Sequence, residues 1–463
     1  MSKKRSCLIK NSEQYSMLFT IIIICVGLFL YGCGRTAVQQ SVEQPAKTKT
    51  DSTEPDKIIS EPVYTSGVKP YEQEEFKKTV DYFGVSPSYP LHKLTSLSYY
   101  PDFARDIHGK AGLKRALQQS IIYYGRVPKS TMFYFGDDKY DALHMRLSAK
   151  QFLDFLERSP SNIDIKSFIN QHYNVYTTIR RKESSDIDLS VMFTGYYEPS
   201  LKGSLVKGGD YIYPIYSKPD DLIEVPRGGF SGKYRGTPAS GARRNSKKEL
   251  IPYYTRAEID TIKGFERQAK PLAWVNSRID RFFLEIQGSG RIELKEGGTI
   301  KVQYSAKNGR PYRSIGKYLV DRGEMAKDDV NMHSLRKWLD DNPSRVDEVL
   351  NHNPSFVFFR KGKGGPVGCI GVDVTPMRSI ATDTSVFPKG ALCFMDTTIP
   401  TWNSSKDNIA WQYYSAFVLN QDTGGAIKGS GRADYFFGYG GYAELSAGYM
   451  KQMGRLYFLV LKK

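Results

Sequence analysis

Residues 420–441 read "NQDTGGAIKGSGRADYFFGYGG". Two carboxylates, Asp422 and Asp434, stand in a glycine-rich setting. Lys428 lies between them, and Tyr435, Phe436 and Phe437 follow the second. Aromatic neighbours can strip water from a carboxyl and raise its pKa. Gly429 and Gly431 let a backbone pass close to a bulky ligand. Taken alone, each acid also reads as a turn residue bonding nearby backbone N–H groups. From residue 355 onward the surrounding chain is strand-like: "SFVFFR", "VGCIGVDV", "GALCFMDT", "AFVLNQD" and "RLYFLVLKK". Many short strands divided by Gly-rich turns are the pattern of a barrel.

Upstream, "SVMFTGYYEPS" (190–200) alternates, so Thr194, Tyr196 and Glu198 share one strand face and Pro199 closes the strand. "DRFFLEIQGSGRIEL" (280–294) reads as alternating too. Phe282, Leu284 and Ile286 face one way and Phe283, Glu285 and Gln287 the other, which predicts a strand. Helical spacing appears in "YEQEEFKKTVDYF", "LKRALQQSIIYYGRV", "SAKQFLDFLERSP" with "IKSFINQHY", and in the shorter "RSIGKYLVDRGE" and "HSLRKWLDD". Residues 200–250 are rich in Gly, Ser, Lys and Arg, and loops are expected to dominate there. Within them "RRNSKKE" reads as a solvated basic loop, or as one that meets an anionic wall.

The N-terminus has its own character. "MSKKRSCLIKN" carries four basic residues, and residues 17–31, "MLFTIIIICVGLFLY", are apolar throughout. That run is short for a membrane span, which needs about 20 residues, and it has the shape of a signal-peptide core. It ends in "LYGC" (30–33), which resembles the bacterial lipoprotein signal. Cys33 is then the lipidated residue and residues 1–32 are removed. A retained N-terminal anchor is the alternative. Either way the body lies outside the cytoplasm, tethered to a membrane. Polar residues 36–60 read as a tether that need not fold. Gly34 stands where a retention signal would carry Asp, which points to the outer membrane, with the body facing the periplasm.

The chain has 463 residues and a formal charge of +17. Residues 1–32 hold four basic residues and one acid, so the mature chain carries +14. Such charge on an exported protein favours polyanionic neighbours, here cell-wall polymer and lipid headgroups, and no nucleic-acid motif is present. Five Cys occur; after processing and lipidation only Cys369 and Cys393 remain, to pair or to stay as free thiols. The six His form no HExxH, and no Cys/His cluster has metal-ligand spacing, so neither metal nor cofactor is called for. Oligomeric state is not legible.

Three stretches, "VTPMRSIATDTSVFPKGALCF", "QDTGGAIKG" and "ADYFFG", resemble the three-aspartate cell-wall domain, its acids matching Asp383, Asp422 and Asp434. "FTGYYEP", "IQGSG", "NGRPYRSIGKYLVDRG" and "NPSFVFF" extend the likeness, in order, to the membrane-bound lytic murein transglycosylase A family over roughly residues 70–463. The resemblance implies a mainly β fold with helical additions: a double-psi β-barrel formed by residues 66–199 plus 353–463, and an inserted β-domain at 200–352 lining a glycan groove. Residues 1–32 are then the signal and 33–65 the lipidated N-terminus and tether.

The implied chemistry is non-hydrolytic cleavage of the β-1,4 bond between N-acetylmuramic acid and N-acetylglucosamine in peptidoglycan strands. It leaves 1,6-anhydro-N-acetylmuramic acid ends. A neutral acid must protonate the leaving oxygen while the sugar's own C6 hydroxyl attacks C1, an intramolecular attack with a large effective concentration. By the family's pattern Asp434 is that acid. Asp422 and Asp383 support the site or bind sugar, and Lys428 either attracts substrate carboxylates or covers the loop. Thr194, Tyr196 and Glu198 are placed to line the groove. Gln287 and Ser289 offer an amide and a hydroxyl to sugar. The rival functions are a two-carboxylate peptidoglycan hydrolase and a non-catalytic wall-binding lipoprotein.

Overall fold

Six strands close on themselves in the computed structural model, which describes residues 90–463 apart from 107, 182–186, 227–228, 231, 236–238 and 403–408. The leader, Cys33, the tether and the first helical pattern therefore lie outside the described residues. Around the barrel the order is Val191–Glu198, Lys451–Leu461, Leu392–Trp402, Ile409–Asp422, Ser379–Ala381 and Arg432–Tyr439, which returns to Val191–Glu198. Two neighbouring pairs are parallel, Ser379–Ala381 with Ile409–Asp422 and Arg432–Tyr439 with Val191–Glu198; the other four are antiparallel. Tyr173–Thr178 and then Leu91–Lys93 add to the outer side of Lys451–Leu461.

The barrel interior and the layer outside it form one apolar body that includes Phe193, Ile380, Phe394, Phe417, Tyr435 and Phe458. Helices Lys110–Arg126, Ala142–Glu157 and Asn162–His172 pack there, as their apolar spacing predicts, burying Leu117, Phe152 and Ile169. Asp141 caps the second helix, and a Ser161–Asp164 capping box starts the third. Arg378, buried, donates to Asp106 (3.1 Å) and to the Phe417 carbonyl (2.9 Å), locking the entry to the short Ser379–Ala381 strand.

Two expectations are corrected. Residues 278–287 form a helix, not a strand. Ser277 caps its start through the Asp280 N–H, Gly288 ends it at φ 79°, and Ile279, Phe282, Phe283 and Ile286 follow helical spacing. Glu285 on this helix is buried in a bidentate pair with Arg256 (3.2 and 2.8 Å). Second, "VGCIGVDV" is a tight turn held by one bridge between Val367 and Asp373. Gly368 there lies so near the Gln421 carbonyl that a Cβ would sit 2.3 Å from it.

A second sheet orders its strands Val357–Gly362, Thr299–Lys307, Ser289–Leu294, Ser200–Ser204, Pro271–Val275 and Tyr213–Tyr216. Its first strand pairs along Thr299–Lys307, so the sheet runs past residue 352, the expected end of the insertion. Short strands also punctuate 200–250, where loops were expected to dominate. The sheet is joined to the barrel by Glu198, which is 2% exposed and takes the Arg291 Nε at 2.9 Å, and by the Gln287 Oε1, which accepts the Tyr197 N–H at 3.1 Å. Arg291 also lies 3.6 Å over the Tyr439 ring.

Candidate active site

Strand register, rather than loop flexibility, sets the two acids side by side. Asp422 pairs with Ala381; Ala381 pairs on its other flank with Asp434; Asp434 pairs with Thr194, and Thr194 with Lys451. Residues in one row across a sheet project from the same face, with strands about 4.8 Å apart. The two acid backbones are thus about 10 Å apart.

Asp434 receives the Thr194 hydroxyl on Oδ1, and Arg432 Nε lies 3.5 Å from the same oxygen. Arg432 Nη2 also donates to Thr194 Oγ1 at 3.3 Å. Burial pushes the Asp434 pKa upward, and the Arg432 charge and the Thr194 bond only partly offset it. On the strand, Phe436 shares the acid's face and packs on Tyr196 at 4.9 Å. Tyr435 and Phe437 point into the barrel; the Tyr435 hydroxyl meets the Met377 carbonyl at 2.6 Å. Of the three aromatics expected to dry the carboxyl, Phe436 alone lies on its face.

Asp422 Oδ1 accepts backbone N–H groups from Thr423 (2.8 Å) and Cys369 (3.0 Å). Burial pushes its pKa up to about 6 against those bonds and the Tyr196 hydroxyl, and the Asp434 charge adds to the rise. Burial likewise lifts the Tyr196 phenol well above its ordinary value, with the Asp422 charge adding to the shift. The row therefore holds two carboxyls that burial makes harder to ionise, and the Asp434 charge adds to the effect at Asp422.

Asp383 is employed differently. Its Oδ1 takes the Ser385 hydroxyl (2.7 Å) and N–H (3.0 Å), and its Oδ2 takes the Gly429 N–H (2.9 Å). Burial opposes its charge, but these bonds and nearby Lys428 outweigh that and hold the pKa below the ordinary value. Asp383 thus pins the loop that separates Asp422 from Asp434. Gly429 is required there for its φ of 76°. Lys428 is exposed on that loop. Thr194 and Tyr196 face the two acids, whereas Glu198, on the same strand, is committed to Arg291. Gln287 touches the strand at Tyr197, and Ser289 is buried opposite Gln303 in the second sheet. Cys369 and Cys393 are both free, Cys369 exposed on its turn and Cys393 buried in the barrel.

The sequence reading passed over Arg432. Its signal was available: it stands two residues before Asp434 on a strand, hence on the same face.

The family model described as the MltA specific insert domain matches residues 192–360, and the one described as the 3D domain matches residues 378–460. The chain is 34% identical over 280 residues to the membrane-bound lytic murein transglycosylase A of Escherichia coli K12, covering 60% of this chain and 67% of that protein. Among solved structures, the membrane-bound lytic murein transglycosylase from Agrobacterium tumefaciens is similar at TM-score 0.66 and 25% identity, over 81% of this chain and 98% of its own. The Escherichia coli MltA structure with bound chitohexaose is similar at TM-score 0.52 and 27% identity, over 69% of this chain and 88% of its own.

Proposed function

The chain belongs to the membrane-bound lytic murein transglycosylase A family, and from that premise we propose that it cleaves peptidoglycan strands with Asp434 as the acid. The reaction cuts the β-1,4 bond after N-acetylmuramic acid without water. As the C1–O4 bond breaks, the Asp434 proton passes to O4 of the departing N-acetylglucosamine. The C6 hydroxyl of the muramic residue bonds to C1, and its proton returns to Asp434. Atoms balance, no water is consumed, and a 1,6-anhydro end remains. The glycan lies between the barrel's acid row and the second sheet; the chitohexaose held by the Escherichia coli relative supports a glycan as the ligand.

The observation that carries this reading is the row itself: a carboxyl with a raised pKa, 19% open, oriented by Thr194 and Arg432. Asp422, held by two N–H donors, positions substrate or tunes the acid; Asp383 keeps the loop in place. The domain division is a barrel lobe and an inserted lobe, with a lipid on Cys33 holding both at the periplasmic face of the outer membrane.

Asp434→Asn keeps the shape of the side chain and removes the proton. Cleavage of purified sacculi is expected to fall by ~10²–10⁴ while glycan binding persists. Wild-type digestion in ¹⁸O-water is expected to leave the new ends unlabelled. A second reading, a hydrolase using Asp434 and Asp422, is favoured by the two acids standing in one row across the sheet. Label in the product would establish it in place of the first. Full cleavage by Asp434→Asn would show that another group is the acid.

A further inference from the structure

Arg432 makes contacts that a solvated strand residue does not need. Its Nε is buried without a hydrogen-bond partner, 3.5 Å from Asp434 Oδ1, while its Nη2 donates to Thr194 Oγ1. A guanidinium can only donate. Because Arg432 occupies a lone pair of the Thr194 oxygen, that hydroxyl turns its own proton outward, onto Asp434 Oδ1. One hydroxyl bond and one nearby guanidinium therefore face the same carboxyl oxygen. No described residue donates to the other, Oδ2, and the side chain remains partly open.

Building on the proposed role of Asp434, we infer that Arg432 is a positioning residue that fixes the acid's proton on Oδ2, the oxygen turned toward the glycan. The chain of donors runs one way, from Arg432 N–H to Thr194 O–H to Asp434 Oδ1, so a neutral Asp434 carries its hydrogen on the oxygen left over. The unmet Nε–H is a buried donor waiting on a bond. It closes on Oδ1 as charge returns to the carboxyl when the leaving group departs, since hydrogen bonds at resting sites are often long and tighten during reaction. Arg432 thus favours ionisation less in the resting acid than it stabilises the carboxylate formed in the transition state.

Other groups around the pair are Asp422 and Tyr196 on the acid's face, Lys451 next in the row after Thr194, and Tyr312, from the 308–313 segment, which feels the Arg432 charge. Among the described residues, only Arg432 touches both Thr194 and Asp434 with a positive charge.

The test follows kcat and kcat/KM against pH on uncrosslinked glycan strands. Activity requires protonated Asp434, so it declines as pH rises through the acid's pKa. Arg432→Met removes a charge that lowers that pKa. The alkaline limb of kcat/KM is expected to move to higher pH, and kcat at the optimum to fall roughly tenfold with KM little changed. Arg432→Lys keeps the charge and loses the fork, so its limb stays near the wild-type position while kcat still falls. Thermal melting of each variant corrects for folded fraction. An unmoved limb with undiminished kcat per folded Arg432→Met enzyme overturns the inference. Asp434→Asn is run beside them: if it remains active, the acid itself is misassigned, whereas an inactive Asp434→Asn with an unaltered Arg432→Met discards Arg432 alone.

Discussion

At the scale of the residue, the acid row carries a stability cost that can be measured. The Asp422 carboxyl is pushed by burial to about 6, above the ordinary value of 3.8. The folded state therefore binds a proton there more tightly than the unfolded chain does. Stability from this group is complete below about pH 4, declines between about 4 and 6, and is gone above. The gap is worth at most about 3 kcal/mol. Asp422→Asn keeps an oxygen for the Thr423 and Cys369 N–H groups and cannot ionise. It is expected to melt at higher temperature than the wild type at pH 7.5 and to match it below pH 4. Equal melting at both values, measured by circular dichroism, would show that burial does not strain this acid. Functional sites commonly hold such strain in exchange for reactivity.

The secondary-structure element is where sequence and structure diverge most instructively. The strand Val191–Glu198 was legible because "SVMFTGYYEPS" alternates and Pro199 closes it, whereas the strand of Asp434 was not, because three aromatics follow the acid without alternation. The helix at Arg278–Gln287 was not, because Phe282, Leu284 and Ile286 satisfy period two while Ile279, Phe282, Phe283 and Ile286 satisfy the helical period. What separates the two readings is the punctuation: Ser277 as a cap, and Gly288 at φ 79° with open space where a side chain would point. Gly288→Ala meets no steric obstacle, so its cost is the left-handed backbone alone, about 1 kcal/mol. A loss of that size in urea denaturation is expected; no loss would mean the helix end rearranges. In the same way, the roles of Glu198 and Asp383 were hidden from sequence. Their partners, Arg291 and Gly429, lie 93 and 46 residues away, and pairing at that distance is a property of the fold.

For the whole molecule, the joint between barrel and second sheet is the part most exposed to single substitutions. Glu198 is buried against Arg291, and the Arg291 guanidinium covers Tyr439. Removing the arginine leaves a buried carboxylate unpaired, a loss of about 3–5 kcal/mol in comparable cases. Arg291→Met is therefore expected to lower the melting temperature and to split a single calorimetric transition into two, as sheet and barrel come apart in turn. One transition at the wild-type temperature would show that the joint rests on other contacts. The barrel is also closed by segments remote in the chain: Thr194 bonds Asp434 across 240 residues, and Lys451–Leu461 must insert between Val191–Glu198 and Leu392–Trp402 before the ring is complete. Closure of this kind is slow to nucleate, because long loops must be ordered first. A ribosome or an export channel releases the chain from its beginning, so Thr194 waits 240 residues for Asp434 to be delivered. A fragment cut short by proteolysis or stalled synthesis before residue 432 would lack the strand that carries Asp434. On the role proposed above for Asp434, the strand delivered later acts as a safety catch for an enzyme that cuts peptidoglycan.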